Sequence, residues 1–422
     1  MKVIETLLQE VTVPRFVKVR QHFADAHIPP EQIREAVYRA LERDCIADRL
    51  KPGMRVCLTC GSRGIDNIAR ITAAVAAFCK EKGAQPFAIP AMGSHGGATS
   101  QGQLDVLMAL GITEQTIGCP IYSSMETVRI GTTEEDQPVY IDRYAAEADG
   151  IIVINRIKPH TSFRGDYESG LMKMMAIGLG KQRGAQICHA EGFTQMHRKV
   201  PQFGKVILNR APVLFGLGIL ENAFDRTAQL HALTPEEIIE KEPVLLREAF
   251  ALMPSIGFES CDVLVVDEIG KNISGCGMDP NISGVFATPG ITGGISAQRR
   301  CILSLTPQTH GNGYGMGAAD AITRRLFEQL DLEQIYPNSI TSTSLGFSKI
   351  PMIMPNDRAA IALCIKTCNS IDRSAPRIIR IRNTLALDEM EISEGCLSEL
   401  PRNMEVLTEP YELPFDGEGN LL

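Results

Sequence analysis

The chain lacks any apolar run near the roughly 18 residues that a bilayer span requires. Met1 to Glu10 has neither the basic start nor the apolar stretch of a secretory leader. Membrane insertion and export are therefore not expected, and a cytoplasmic location is. No long block of Lys and Arg is present and the formal net charge is −8, so the clustered cations that neutralise phosphates are missing and nucleic acid is not an expected partner. Twelve cysteines in 422 residues are too dilute for a disulfide scaffold, and a cytosolic chain keeps them reduced. Cys57 and Cys60 form a CxxC inside RVCLTC, a strand-like run in which positions three apart face opposite sides. Buried small hydrophobes are the simpler reading there, a redox or zinc pair the rival. No GxGxxG, HExxH or second CxxC occurs, which leaves a Rossmann dehydrogenase without its fingerprint and a zinc hydrolase without ligands. Gly178, Gly180 and Gly184 are a loose echo of the fingerprint, and GNGYGMG at 311–317 matches no nucleotide loop. Cys188 beside His189 is no nucleophile pair, because catalytic partners meet in space and adjacent residues rarely face each other. Internal repeats and low-complexity tracts are also missing.

What remains is enough material for two cores: 422 residues, of which 44% are hydrophobic. Helix-like and strand-like pieces alternate, which predicts an α/β fold of two α/β domains with mainly parallel sheets and an active site in the cleft between them. The expected boundaries are 1–255 for the domain carrying most cofactor and acid/base residues, 256–400 for the second, and 401–422 for a tail packing back on the first. Helices are predicted over 30–43, 65–80, 101–111, 235–252 and 318–330. Strands are predicted over 54–59, 85–91, 150–155, 213–220, 261–266, 301–305, 359–365 and 377–382. From Leu407 onward, Pro, Glu and Gly predict loosely packed surface.

Three predicted strands end in functional turns. The first is followed by Gly61-Ser62-Arg63-Gly64, the second by Gly93-Ser94-His95-Gly96-Gly97, and the third runs into Lys158-Pro159-His160. A glycine turn between strand and helix lets backbone N–H groups and an Arg fork meet an anion, although a plain tight turn with a solvated Arg reads the same. His95 lies among glycines that cannot pack it, which favours function over structure. Strand ends converging on one sheet edge mark the usual ligand position of parallel α/β sheets. The third turn opens the densest stretch, VINRIKPHTSFRGDYESGLMKMMAIGLGKQRGAQICH, with Arg164, Asp166, Glu168, Lys173, Lys181 and His189. So many donors, bases and glycines are poor core material.

In order and spacing, Ser62-Arg63, the Gly-x-His turn of His95, Pro159-His160, Lys173 and His189 resemble the nickel-dependent lactate racemase family. Members use a nickel-pincer nucleotide, a modified pyridinium mononucleotide that holds the metal through two sulfurs and one ring carbon. The resemblance implies an isomerase, a racemase or epimerase that inverts a hydroxyl-bearing carbon by hydride removal and return. It makes His95 and His160 the acid/base pair, Arg63 a substrate ligand, His189 the nickel ligand and Lys173 the cofactor lysine. Ser62 and Lys181 are further cofactor-binding candidates, Lys181 as a rival for the covalent position. Partners implied are a small hydroxy acid or sugar substrate and the cofactor-synthesis proteins that mature the enzyme.

The chain also departs from the family. Cys60 stands where an acidic residue usually precedes the Arg by three positions. The substrate-binding lysine and glutamine of the second domain have no secure counterparts, and Lys271 is the candidate replacement. The segment FRGDYES between His160 and Lys173 suits a pocket for a substrate with more hydroxyls. A 2-hydroxyacid racemase, lactate-like or for a sugar acid, is therefore expected. The alternatives are a sugar 2-epimerase on the same cofactor, a non-catalytic holder of the nickel cofactor, and a hydrolase or lyase using another divalent metal.

Overall fold

The computed structural model of the chain describes residues 2–342 and 344–422. It divides into two compact units: Ala24–Met253, and Met1–Phe23 together with Pro254–Leu422. No helix among the described residues is long and apolar enough to cross a membrane.

The unit Ala24–Met253 is built on a five-stranded sheet in the order Gln85–Pro90, Arg55–Cys60, Gly150–Arg156, Val213–Glu221, Thr227–Leu233. The first four strands run parallel and the last is antiparallel. Parallel strands covered on both faces read as continuous apolar runs. Accordingly Val56, Leu58, Ile152 and Ile154 enter one core layer, and Cys57, Ile151 and Val153 the opposite one. Cys57 and Cys60 are both buried free thiols, as the strand reading requires. On one face the helix Ile68–Glu81 buries Ile71, Val75 and Phe78, and Ile33–Leu41 buries Ile33, Val37 and Leu41. The other face is covered by Met196–Arg210 and by Pro235–Leu252, whose start is fixed by a Thr234/Glu237 capping box and Pro235. Leu58, Ile152 and Leu217 are completely buried on adjacent strands; truncating one to Ala costs about 2–5 kcal/mol.

The other unit carries an eight-stranded sheet: Met352–Met354, Ala321–Thr323, Ser296–Leu305, Ser260–Ile269, Ile378–Ile381, Glu389–Ser393, Phe16–Gln21, Met404–Val406. The first five strands are parallel, and each later pairing is antiparallel.

Several expectations are corrected. Residues 1–23 do not join the first domain, because Phe16–Gln21 hydrogen-bonds between Glu389–Ser393 and Met404–Val406. The tail likewise packs within this second unit: Met404–Val406 completes its sheet, Tyr411 bridges to Phe16 and Leu413 is buried. It does meet the N-terminal residues, but those residues belong to the same unit. The predicted strand 359–365 is part of the helix Asp357–Thr367, started by the Asn356 side chain accepting the Ala359 N–H. A short apolar run of Ala, Ile, Leu and Cys cannot by itself separate strand from helix, and the cap decides it. The predicted helix 318–330 is instead a strand, Ala321–Thr323, and a short helix, Arg324–Glu328, capped by Thr323.

Candidate active site

Arg63, His95 and His160 lie just beyond the carboxyl ends of three adjacent parallel strands, Arg55–Cys60, Gln85–Pro90 and Gly150–Arg156. After the third strand, Lys158 and Ser169 pair their backbones, with N–H to O distances of 2.9 and 3.1 Å, and close residues 159–168 into a loop. Within it Glu168 accepts the His160 N–H at 2.6 Å and the Gly165 N–H at 3.2 Å, while Arg164 donates to the His160 carbonyl at 2.8 Å. The pair Arg164–Glu168 thus grips His160 by both of its peptide groups. The chain then turns through Leu171–Lys173 into a wider π-helical turn, Met174–Leu179, and on to the helix Lys181–His189. Such π turns recur at functional sites. A Cβ on Gly178 would meet the Ala91 carbonyl at 2.5 Å, so only glycine lets this turn approach the strand end that leads to His95.

Hydrogen bonds assign the imidazole tautomers. His95 Nδ1 lies 2.7 Å from the Met92 carbonyl and His189 Nδ1 2.7 Å from the Ala185 carbonyl. A carbonyl only accepts, so both rings carry hydrogen on Nδ1 and a lone pair on Nε2. His160 is the reverse. Its Nδ1 accepts the Ser162 N–H at 3.0 Å, so the neutral ring holds hydrogen on Nε2, and Nε2 lies 2.8 Å from Lys173 Nζ.

Burial lowers all three histidines below the ordinary imidazole value. The charge of Lys173 adds to this at His160 and His189, Arg63 and Lys173 add at His95, and the Met92 and Ala185 carbonyls oppose it. Lys173 is pushed down to about 8, by burial first and then by the Arg63 guanidinium. Arg63, His95, His160, Lys173 and His189 are thus near enough for their charges to act on one another. The Phe193 ring contacts two of the imidazoles, 6.1 Å from His160 and 5.7 Å from His189 between centroids, and Phe163 lies tilted against His160 at 4.4 Å.

Ser62 shares the Arg63 turn and is half-buried. Lys181 does not join the cluster. It is fully buried and its ammonium is engaged by the Pro90 carbonyl, Gln103 and Asp142, which leaves no route to a ligand. Lys271 belongs to the other unit, where its Nζ donates to the Gly275 carbonyl at 2.6 Å and sits 4.2 Å from the Tyr314 ring centroid. Sequence reasoning missed Ser162, Phe193 and Gln103. A serine amide and a buried amide side chain carry no motif, and Phe193 is singled out only by being four residues past His189.

Residues 4–200, which include all five clustered side chains, match the family model described as the lactate racemase N-terminal domain. Among solved structures, the lactate racemase apoprotein from Thermoanaerobacterium thermosaccharolyticum is similar in fold, with a TM-score of 0.53 at 13% identity over 88% of this chain and 99% of that one. No curated protein sequence matches the chain. Over residues 4–200, with their three strand-end turns and the helix that ends in His189, the chain is similar to the lactate racemase N-terminal domain.

Proposed function

We propose that this protein is a racemase or epimerase that inverts a hydroxyl-bearing carbon of a 2-hydroxyacid, lactate-like or a sugar acid. The observation that carries the reading is the opposite hydrogen bonding of its two acid/base candidates. His95 holds a lone pair on Nε2, whereas His160 holds a hydrogen there. One imidazole therefore starts as a base and the other as an acid, the combination that inversion through a carbonyl intermediate needs. His95 Nε2 would take the hydroxyl proton of one enantiomer, and His160 Nε2–H would return a proton to oxygen as the opposite enantiomer forms, with Lys173 Nζ, 2.8 Å away, resupplying it. In the reverse direction the two exchange roles. Both rings titrate below the ordinary value, so each is neutral at pH 7 and able to act.

The remaining residues suit the nickel-pincer nucleotide that the family implies. His189, its Nδ1–H given to the Ala185 carbonyl, presents the Nε2 lone pair that a nickel ion takes, and the carbonyl fixes the ring as outer-shell partners of metal ligands do. Among the described residues no group of three His, Cys, Asp or Glu could hold a metal ion; in this reading His189 would be the protein ligand and the nucleotide would supply the others. Lys173, with its value near 8, has amine available to bond or pair with the cofactor. Ser62 offers a hydroxyl to its phosphate. When bound, the cofactor would supply the acceptor and donor of hydride at the inverting carbon. Arg63 would hold the substrate carboxylate through two parallel N–H groups. Cofactor-synthesis proteins are then required partners.

The test is metal analysis and intact mass on protein co-expressed with nickel-pincer synthesis genes, as wild type, Lys173→Ala and His189→Ala, followed by a panel of D/L 2-hydroxyacids and sugar acids. Nickel in wild type that is lost in His189→Ala, with inversion of at least one panel member that needs His95 and His160, supports the reading. Wild type without nickel sinks the cofactor assignment. Nickel without any inversion leaves a cofactor holder instead of an enzyme.

A further inference from the structure

We propose that Gln103 is a positioning residue for His95 and that Lys181 holds Gln103 in the one orientation that allows it. The proposal rests on reading His95 as an acid/base residue, and it gives the buried lysine a role other than cofactor binding.

Lys181 is fully buried and opens the helix Lys181–His189 in a left-handed conformation, φ +52°. That backbone is unfavourable for a residue with a side chain, so its surroundings must fix it. They do so through the ammonium, which donates to the Pro90 carbonyl at the end of the strand Gln85–Pro90 and to Gln103 Oε1 at 3.1 Å. It also lies 3.1 Å from Asp142 Oδ2, in ion-pair rather than hydrogen-bond alignment. Asp142 is itself fully buried, and its other oxygen is taken by the Tyr144 and Ala145 N–H groups at 2.7 and 3.2 Å.

An ammonium can only donate, so the Gln103 oxygen must face it and the amide nitrogen must face away. That nitrogen donates to the Gly93 carbonyl at 2.9 Å and to the His95 carbonyl at 3.3 Å. Gly93, Gly96 and Gly97 all have left-handed φ, between +60° and +65°. A turn with three such glycines has little side-chain packing to hold its shape. Gln103, completely buried on the helix Ser100–Ala109, grips it on both sides of the histidine. Ring orientation follows from the backbone, because His95 Nδ1–H is tied to the carbonyl of Met92 within the same turn. The same ammonium begins the helix that ends in His189, so one buried charge sets the His95 turn and the His189 helix together.

Gln103→Glu separates the two functions of the side chain: a carboxylate keeps the ammonium but has no N–H for the two carbonyls. In apo-protein with 15N-labelled histidine, the His95 Nδ1–H signal is expected to exchange about tenfold faster with solvent and its ring shifts to move toward a tautomer mixture. The His189 Nδ1–H signal should stay where it is. An unchanged His95 signal, or His95 and His189 signals altered equally, overturns the proposal. Should the variant fail to fold, the wild type decides. Slowly exchanging Gln103 side-chain amide protons support the network, and exchange at the rate of an exposed glutamine overturns it. Activity of His95→Ala is read separately: racemisation that survives it removes the catalytic reading of His95 and leaves the network result standing.

Discussion

Lys173 and His160 meet nitrogen to nitrogen at 2.8 Å, and the Ser162 amide on the far side of the ring decides who donates. With Nδ1 already accepting, Nε2–H can only give its hydrogen to Lys173, and an amine accepts only when neutral. The pair takes this form only once the Lys173 ammonium has given up its proton, above its value of about 8.

This relationship predicts the reactivity of Lys173. Acylation by a small reagent, followed by peptide mass, should titrate with a midpoint near the value of about 8 to which burial and Arg63 lower this amine, well below surface lysines. His160→Ala admits water beside the amine, and the midpoint should climb toward the ordinary lysine value. An identical midpoint in both proteins would refute the pairing.

Glu168→Ala removes the carboxylate that accepts both the His160 and the Gly165 N–H groups. Two part-buried donors are orphaned and Arg164 loses its carboxylate partner. A loss of about 2 kcal/mol in denaturant unfolding is expected, together with a larger fall in turnover than in affinity because His160 is no longer held. Unchanged stability would mean that water replaces the carboxylate without cost.

A buried carboxyl controls the pH dependence of the same region. Glu242 accepts the Met172 N–H at 3.0 Å, and burial pushes it up to about 8. Because this lies above the ordinary carboxyl value, the folded state binds the proton more tightly than the unfolded chain does. The stabilisation is full below the unfolded value, about 4.3, and fades as pH rises through 8. Thermal midpoints of Glu242→Gln should therefore fall less between pH 5 and 9 than those of wild type, on the order of several degrees. Parallel curves for the two proteins would exclude a protonated Glu242.

Gly178→Ala places a methyl 2.5 Å from the Ala91 carbonyl and equally close to Met174 Sδ. The sulfur can move and the carbonyl cannot, so about 1–3 kcal/mol of stability should be lost. The displaced turn also carries the Lys173 side of the cluster, and acylation of Lys173 should lose its low midpoint.

Much of this site was legible because turn chemistry is local. Gly61 to Gly64 and Gly93 to Gly97 announce strand ends, and the strands before them are apolar enough to be recognised. Lys181 shows where local reading stops. In sequence it is one more cation in a glycine-rich stretch, and only the fold reveals that Asp142, 39 positions earlier, and Gln103, 78 positions earlier, surround it. The helix Asp357–Thr367 and the strand Phe16–Gln21 escaped for different reasons. In the first a cap overrides an ambiguous apolar run, and in the second the partners lie 369 or more residues away.

The placing of Phe16–Gln21 between Glu389–Ser393 and Met404–Val406 also orders events during synthesis. Residues 24–253 are contiguous, and their five strands have all left the ribosome before the rest of the other sheet has been translated. That body can fold as it emerges. The first strand meanwhile waits with both edges unpaired until nearly four hundred further residues have been added, and an open edge is a template for wrong partners. Its alternating exposed residues Lys18 and Arg20 disfavour such pairing, so the Arg20 charge that later pairs with Glu389 and Glu405 serves first as protection for a chain still being made.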